Sequence, residues 1–558
     1  MQVEQNYGMR VTMAGVLRAS EEGLRIVNLA RRNPGWNKND RLWCEAAYTS
    51  KATLKRFWAR RSIRRETFID ICKAVGIDNW EDVVERSDRQ EKKPNLSHTT
   101  FPLPDKLPPV RNWVGRSQEL NTLKSYLLNT DNSPTPTTAI SIVGLAGIGK
   151  TTLASQLVRE LHREATPFVA AAWECLLSPT GVALPCDRIL DSLLLSLSNG
   201  EVTPAITAHE DCLTKTERLI QLLKNKPCLL LFDRLETVLT AGDARKAGYF
   251  AHEYSEYAWF FQQLLETEHQ SKIIFISREC VAALPPTLTR ELSLNGLDTE
   301  AALKLLQSFS LTATDEEFTQ LAHRYQGHPK ALELIASSIQ NDECKGEVST
   351  FFQVQDWLLT QEIESFLDET LSRLSDLALT CLCRISVYEP SEYPLTVMAI
   401  ASQMPEVALY ELKENIMREL KRRQLLCYTP DWLSYQLHPL VREKADRLLK
   451  QNPEQVQTAH RQAYQYFISI PLKPESAWTE IEDIKSLVRA HYHAYQGEDW
   501  EEAERVMSGL SECLQFGDAQ LQDSFQDYRD RVQQNCPNLW HLSKQIPVLP
   551  ADLQDHDS

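Results

Sequence analysis

Residues 144–151 read Gly-Leu-Ala-Gly-Ile-Gly-Lys-Thr, which satisfies G-x-x-x-x-G-K-[ST] at every defined position. The context fits as well. An apolar stretch, AISIV, precedes the motif, and a helical pattern over residues 152–161 follows it. Strand, glycine loop and helix in this order make a cradle for phosphate. The glycines let the loop curl until its backbone N–H groups point inward. The helix start adds unsatisfied N–H groups and a partial positive charge. Gly144, Gly147, Gly149, Lys150, Thr151 and Thr152 are therefore candidate phosphate-binding residues. In such a loop Lys150 neutralises β- and γ-phosphate charge and the Thr151 hydroxyl ligates Mg²⁺.

The motif lies in a stretch of alternating patterns. Between residues 111 and 285, buried-strand candidates fall at 139–143, 168–173, 228–232 and 272–276, with helical patterns between them. Alternation of this kind predicts a parallel sheet covered on both faces. After about residue 297 the strands stop. Residues 299–340 read as helices. Residues 365–448 read as helices closed by two short strands, 425–428 and 433–437, which suggests a winged helix. The expected architecture is an α/β P-loop nucleotide-binding domain with a parallel sheet, plus a helical subdomain, a winged helix and flanking all-α regions. Its divisions are 1–90, a Pro-rich linker at 91–110, 111–296, 297–360, 361–450, a helical region at 451–545 and a disordered tail at 546–558.

Residues 228–233 form an apolar strand ending in Asp233, about 80 residues after the loop. A carboxylate at the end of that strand sits beside the phosphates and anchors Mg²⁺, so Thr151 and Asp233 are the candidate metal ligands. Hydrolysis also requires a residue that orients water. Many P-loop ATPases place an acid directly after the magnesium aspartate, but this chain has Arg234 there, and the nearest acid is Glu236. Either Glu236 reaches the site or it is a surface residue at a helix start. Slow or conditional ATP hydrolysis is the expectation.

The charge is divided unevenly. Residues 1–94 hold 19 Lys/Arg against 13 Asp/Glu, and the remainder holds 41 against 63, for a net −16. A basic head on an acidic body points to different partners for each. No run of about 18 apolar residues is present, so no membrane span is expected. The thirteen cysteines are scattered. They read as free thiols in a reducing cytoplasm, not as metal ligands.

Several further motifs occur in order between 111 and about 445, and together they resemble the bacterial NB-ARC proteins, STAND-class relatives of plant resistance proteins and apoptotic scaffolds. Trp113-Val114-Gly115-Arg116-Ser117-Gln118-Glu119-Leu120 resembles the family's hhGRExE element. Residues 168–176, with Trp173, resemble the second strand of the family's domain. Ser277-Arg278 resembles its sensor, Gly327-His328-Pro329 its G-x-P motif, and Leu437-His438-Pro439 its M-H-D motif. The resemblance implies that Val114 and Arg116 lie at the adenine, that Arg278 senses the γ-phosphate, and that Pro329 packs on the purine. It further implies that His438 contacts the β-phosphate of ADP. Proline replaces the usual aspartate at 439. The cofactors implied are ADP or ATP with Mg²⁺, and the function implied is a signal-transduction switch in regulation or anti-invader defence, with nucleotide-dependent homo-oligomerisation. Asp233, Glu236 and Arg278 are the candidate catalytic set.

The head offers a second site. Lys51, Lys55, Arg56, Arg60, Arg61, Arg64 and Arg65 fall within 15 residues that contain no acid. A helix over 40–47, a turn and a helix over 51–60 give helix–turn–helix order. Lys51, Lys55, Arg56 and Arg60 are candidate contacts to DNA. An effector protein is the competing partner, and Phe57 and Trp58 read as core residues. A transcription regulator that binds DNA through this head is the alternative function. Near residue 493 the pattern resembles one helical-pair repeat unit of TPR type.

Overall fold

The computed structural model describes residues 16–32, 34–77, 79–80, 83–84, 101–130, 137–341, 344–354, 357–388, 395–430, 433–474, 477–478 and 481–514. The expected tail at 546–558, the first ten positions of the Pro-rich linker and residues 515–545 lie outside them. The chain divides into two compact units, Met1–Asn95 and Leu96–Ser558.

In the first unit, β1 (Val16–Leu17) is followed by α1 (Glu21–Ala30), α2 (Arg41–Ala46) and α3 (Lys51–Trp58), then β2 (Ile63–Arg64) and α4 (Arg65–Lys73). Side chains of Ser20, Asp40 and Ser50 accept N–H groups of the first turns of α1, α2 and α3 and fix where those helices begin. Trp43, Leu54, Phe57, Phe68 and Ile71 form the core. The two-stranded pairing of β1 with β2 was not expected from sequence, because two residues per strand leave no periodicity to read.

The second unit begins with α5 (Ser117–Leu127), β3 (Ala139–Val143), α6 (Lys150–Arg163), β4 (Ala170–Cys175), α7 (Cys186–Leu197) and α8 (Cys212–Asn225). It continues with β5 (Cys228–Asp233), α9 (Ser255–Glu266), β6 (Lys272–Ile276) and β7 (Thr289–Ser293). The five strands form one sheet in the order β4-β5-β6-β3-β7, parallel throughout. Side chains alternate across it. Leu229, Leu231, Ile274 and Ile276 face one core, while Leu230, Phe232, Ile273 and Phe275 face the other. Every residue of β3, β5 and β6 is buried, as parallel strands covered on both faces require. β4 lies two residues later than expected, and β7 is a strand the sequence reading missed. Its residues, TRELS, are polar apart from Leu292 and at most partly buried, as suits an edge.

Helices α10 (Thr299–Gln307), α11 (Asp315–Arg324), α12 (Pro329–Asn341) and α13 (Val348–Val354) come next. Then follow α14 (Gln361–Leu371), α15 (Asp376–Ile385), α16 (Val397–Ser402), α17 (Leu409–Glu411), a π-helical turn over Leu412–Met417 and α18 (Arg418–Arg422). An antiparallel hairpin of β8 (Cys427–Thr429) and β9 (Ser434–Gln436) leads into α19 (Pro439–Lys450), α20 (Pro453–Ile468), α21 (Ile481–Gln496) and α22 (Trp500–Leu514). One apolar core joins a sheet face to these helices. Ile142, Leu157, Leu305, Leu332, Leu382, Leu420 and Leu440 all belong to it. Residues 101–110, expected as part of an extended Pro-rich linker, strap the sheet domain. Phe101 is buried, its carbonyl meets His162 Nδ1 at 2.6 Å, and Lys106 pairs with the buried Glu174 at 2.7 Å.

Candidate nucleotide site

β3 ends at Val143, and the loop 144–149 turns the chain into α6. Gly144, Gly147 and Gly149 all take positive φ, at 151°, 78° and 101°. At Gly147 a side chain is excluded twice, by backbone geometry and by space. An added Cβ would lie 2.8 Å from Lys330 Cβ and 3.0 Å from His328 Cε1. The loop is thus covered by the first turn of α12. Lys150 opens α6 and is buried, with Nζ donating to the carbonyls of Gly144 and Leu145 at 2.8 Å each. Burial lowers its pKa to about 8, with Arg278 and Arg234 also acting against its charge and Glu236 and Asp233 supporting it. A buried ammonium beside a glycine-rich loop at a helix start suits a polyanion.

Thr151 Oγ1 lies 3.3 and 3.1 Å from the two oxygens of Asp233. Burial, and then the nearby Glu236, raise the Asp233 carboxyl to about 6. A hydroxyl and a carboxylate side by side are the hard oxygen donors that Mg²⁺ prefers, so these residues fit the ion expected there. Glu236, on a 3₁₀ turn over Leu235–Val238, is buried and not a surface residue. Its carboxylate accepts the Arg278 amide at 3.1 Å and pairs with Arg278 Nε at 3.3 Å. Arg278 follows β6, and its Nη1 lies 2.7 Å from Glu369 of α14 without an aligned hydrogen bond.

Two histidines lie on the helical side, and the first of them touches the loop. His328 is fully buried. Its Nδ1 accepts the Ala331 N–H at 3.2 Å, so its proton sits on Nε2, which donates to the Ala146 carbonyl in the loop at 3.0 Å. Its ring stacks on Phe366 at 5.5 Å. His438 caps α19, and its Nδ1 accepts the Leu440 N–H at 3.3 Å. That fixes its proton on Nε2 as well, and this buried donor has no acceptor among the described residues. The two rings lie 5.6 Å apart, edge to face. Burial lowers His328 to about 4 and His438 to about 3.

Arg116 has a different surrounding from the one its motif implied. It is buried, and Nη2 donates to the carbonyls of Ile148 at 3.2 Å and Asn295 at 2.6 Å, bracing the loop from beneath. Val114 is half-buried against the core, Thr152 lies in the first turn of α6, and Pro329 opens α12 beside the loop. His328 and Glu369 were not singled out in the sequence. A histidine inside the Gly-x-Pro motif was the available signal for the first, and nothing local marks the second. In the first unit Lys51, Lys55 and Arg56 are exposed on α3 while Leu54 and Phe57 are buried. Arg60 follows the helix in a left-handed conformation. Among the described residues no helix is long and apolar enough to cross a membrane, and no group of three or more His, Cys, Asp or Glu side chains could hold a metal.

Comparison with known proteins agrees with this geometry. Residues 112–253 match the family model described as an AAA ATPase domain. An uncharacterized WD repeat-containing protein of Nostoc sp. is 30% identical over 453 residues, which is 74% of this chain and 34% of that protein. The chain therefore spans about a third of the length of that curated relative. Among solved structures, a STAND protein with a tetratricopeptide repeat sensor from Pyrococcus horikoshii is 17% identical with a TM-score of 0.32, covering 78% of this chain and 55% of its own. The Walker-type ATPase of Pyrococcus abyssi is 14% identical with a TM-score of 0.40, covering 60% and 96%. The Aeropyrum pernix ORC2 protein is 15% identical at 0.38, covering 62% and 96%. None of these superpositions is tight enough to bear on the arrangement of this chain. The parallel sheet, the complete phosphate loop and the AAA match together make the domain that contains residues 112–253 a P-loop ATPase fold.

Proposed function

We propose that the chain is an ADP/ATP-controlled switch of the NB-ARC type, with slow or conditional hydrolysis. One observation carries the reading. His328 and Lys330 lie against the phosphate loop, the His438 ring stands 5.6 Å from that of His328, and the buried His438 Nε2 donor has no acceptor among the described residues. An orphaned buried donor costs free energy, and a polyphosphate would satisfy His438, while Arg278, ion-paired with Glu236 and Glu369, would exchange a carboxylate for phosphate. In this reading Lys150 and the loop amides bind the β-phosphate, and His438 donates to it from the far side. Arg278 meets the γ-phosphate, and Thr151 and Asp233 hold Mg²⁺, which when bound neutralises phosphate charge. Val114 and Pro329 flank the purine. The Glu236 carboxylate is engaged by Arg278, which suits slow turnover. ADP and ATP differ only in what Arg278 meets, so the two nucleotides would favour different arrangements of the helical segments.

The test is direct. The purified chain is denatured, and the supernatant is assayed for nucleotide by chromatography. Near-stoichiometric ADP is expected from wild type and none from Lys150→Ala. Recovery of no nucleotide, together with no heat on titration with ATP or ADP, would overturn the proposal.

A second reading concerns output. The exposed Lys51, Lys55 and Arg56 on a helix that follows a turn favour DNA as partner of the first unit, and make a nucleotide-controlled transcription regulator the alternative. ATP-dependent assembly without DNA affinity would favour a signalling or defence scaffold.

A further inference from the structure

The tip of β6 meets the later helices through consecutive residues. Arg278 pairs with Glu369 on α14. Glu279 accepts Arg373 Nε at 2.5 Å and Arg423 Nη1 at 2.6 Å, and Arg423 is held again by Glu419 at 3.0 Å. The Cys280 amide donates to the Arg422 carbonyl at 2.7 Å. These adjacent contacts differ in character. Glu279, Arg423 and Glu419 are wholly buried, so separating them would strand charges in a medium of low polarity. The Glu369 side chain is 50% exposed, and its contact with Arg278 is close but not aligned as a hydrogen bond. Water can take over Glu369 at little cost. The anchor stays closed while the pair beside it is free to exchange.

We propose that Glu369 competes with the terminal phosphate of ATP for the Arg278 guanidinium, and thereby sets the preference of the site between ATP and ADP. This rests on the reading that Arg278 faces the γ-phosphate. With ADP, Arg278 keeps Glu369 and α14 keeps its ionic tie to the sheet. With ATP, phosphate oxygens replace the carboxylate, which turns to solvent. By linkage, whatever pulls α14 away from Arg278 strengthens ATP binding by the same factor. Glu369 is a specificity-determining residue and touches no nucleotide.

The experiment is calorimetry on the full chain, stripped of nucleotide, with Mg²⁺ present. A non-hydrolysable ATP analogue and ADP are titrated into wild type, Glu369→Gln, Glu369→Ala, Arg278→Ala and the Arg278→Ala/Glu369→Gln double variant. Removing the Glu369 charge should tighten the analogue by roughly two- to fivefold, as expected for a half-exposed ion pair, and leave ADP unchanged. In the Arg278→Ala background the Glu369 substitution should have no effect. If Arg278→Ala weakens the analogue selectively while neither Glu369 variant changes it, the competition is overturned and the sensor reading stands. If Arg278→Ala weakens both nucleotides equally or neither, the sensor reading fails and the proposal fails with it.

Discussion

His328 and His438 make the site sensitive to acid, and the direction follows from their surroundings. Both are held neutral by burial, near 4 and 3, whereas an exposed histidine titrates near 6.5. Above pH 6.5 neither form of the chain protonates them. As pH falls below 6.5 the unfolded chain takes up protons that the folded chain refuses, so stability falls by up to about 1.4 kcal/mol per pH unit for each group. His460, His491 and His493 are lowered by burial too and act in the same direction. Asp233 opposes them between about 6 and 3.8, because its folded carboxyl accepts a proton first. Five histidines outweigh one carboxylate. The thermal midpoint, followed by circular dichroism from pH 7.5 to 5, should fall with acid. His438→Asn should flatten the slope while keeping the α19 cap, since asparagine caps well. A midpoint constant or rising toward pH 5 would contradict this. At this scale Lys150 and Thr151 were marked by a motif of fixed spacing and Asp233 by its place at the end of an apolar strand, and the fold brings Thr151 and Asp233 together. The sequence did not reveal His328, whose role depends on α12 reaching back over a loop about 180 residues earlier in the chain.

Among the elements, the tip of β6 ties the sheet to the later helices through buried charge. Glu279→Ala leaves two arginines, Arg373 and Arg423, with Glu419 as the one remaining carboxylate of the cluster, and should cost about 3 kcal/mol in urea unfolding of the full chain. Glu369→Ala, half-exposed one contact away, should cost less than about 1 kcal/mol. Equal losses would mean that burial does not separate the two contacts. Legibility of the elements follows burial in the same way. β3 and β6 were readable to the residue because all five positions of each are apolar apart from Ser141 and Lys272. β7 was not, since Thr289, Arg290, Glu291 and Ser293 look like loop until the neighbouring β3 supplies their hydrogen bonds. The anchoring of the strap at 101–110 was hidden for a related reason. Its prolines gave the extended course correctly, but Phe101 could only be seen as an anchor once α6 was beside it.

For the molecule as a whole, the division of charge leads to a further expectation. If the first unit engages duplex DNA, affinity measured by fluorescence anisotropy should fall steeply with salt, and a Lys51→Glu/Lys55→Glu variant should weaken it at least roughly tenfold at low salt. Since both side chains are exposed, the variant should leave the thermal midpoint intact. Binding that is indifferent to salt and to these two charges would remove DNA as the partner of this helix. The division of charge was legible from counting alone, whereas the joining of sheet and later helices into one core was not. That union depends on Leu332, Leu382 and Leu440 facing the same interior, which no local pattern announces.

The residues around the phosphate loop run from Arg116 to His438, and this has a consequence for synthesis. At a translation rate of about 5–20 residues per second, roughly a quarter of a minute to a minute separates the emergence of Lys150 from that of His438. During that interval the loop amides and the lysine already stand outside the ribosome while the His438 imidazole is still unmade. On the proposed reading a nascent chain takes up nucleotide through an open door, and helices made later shut that door behind it.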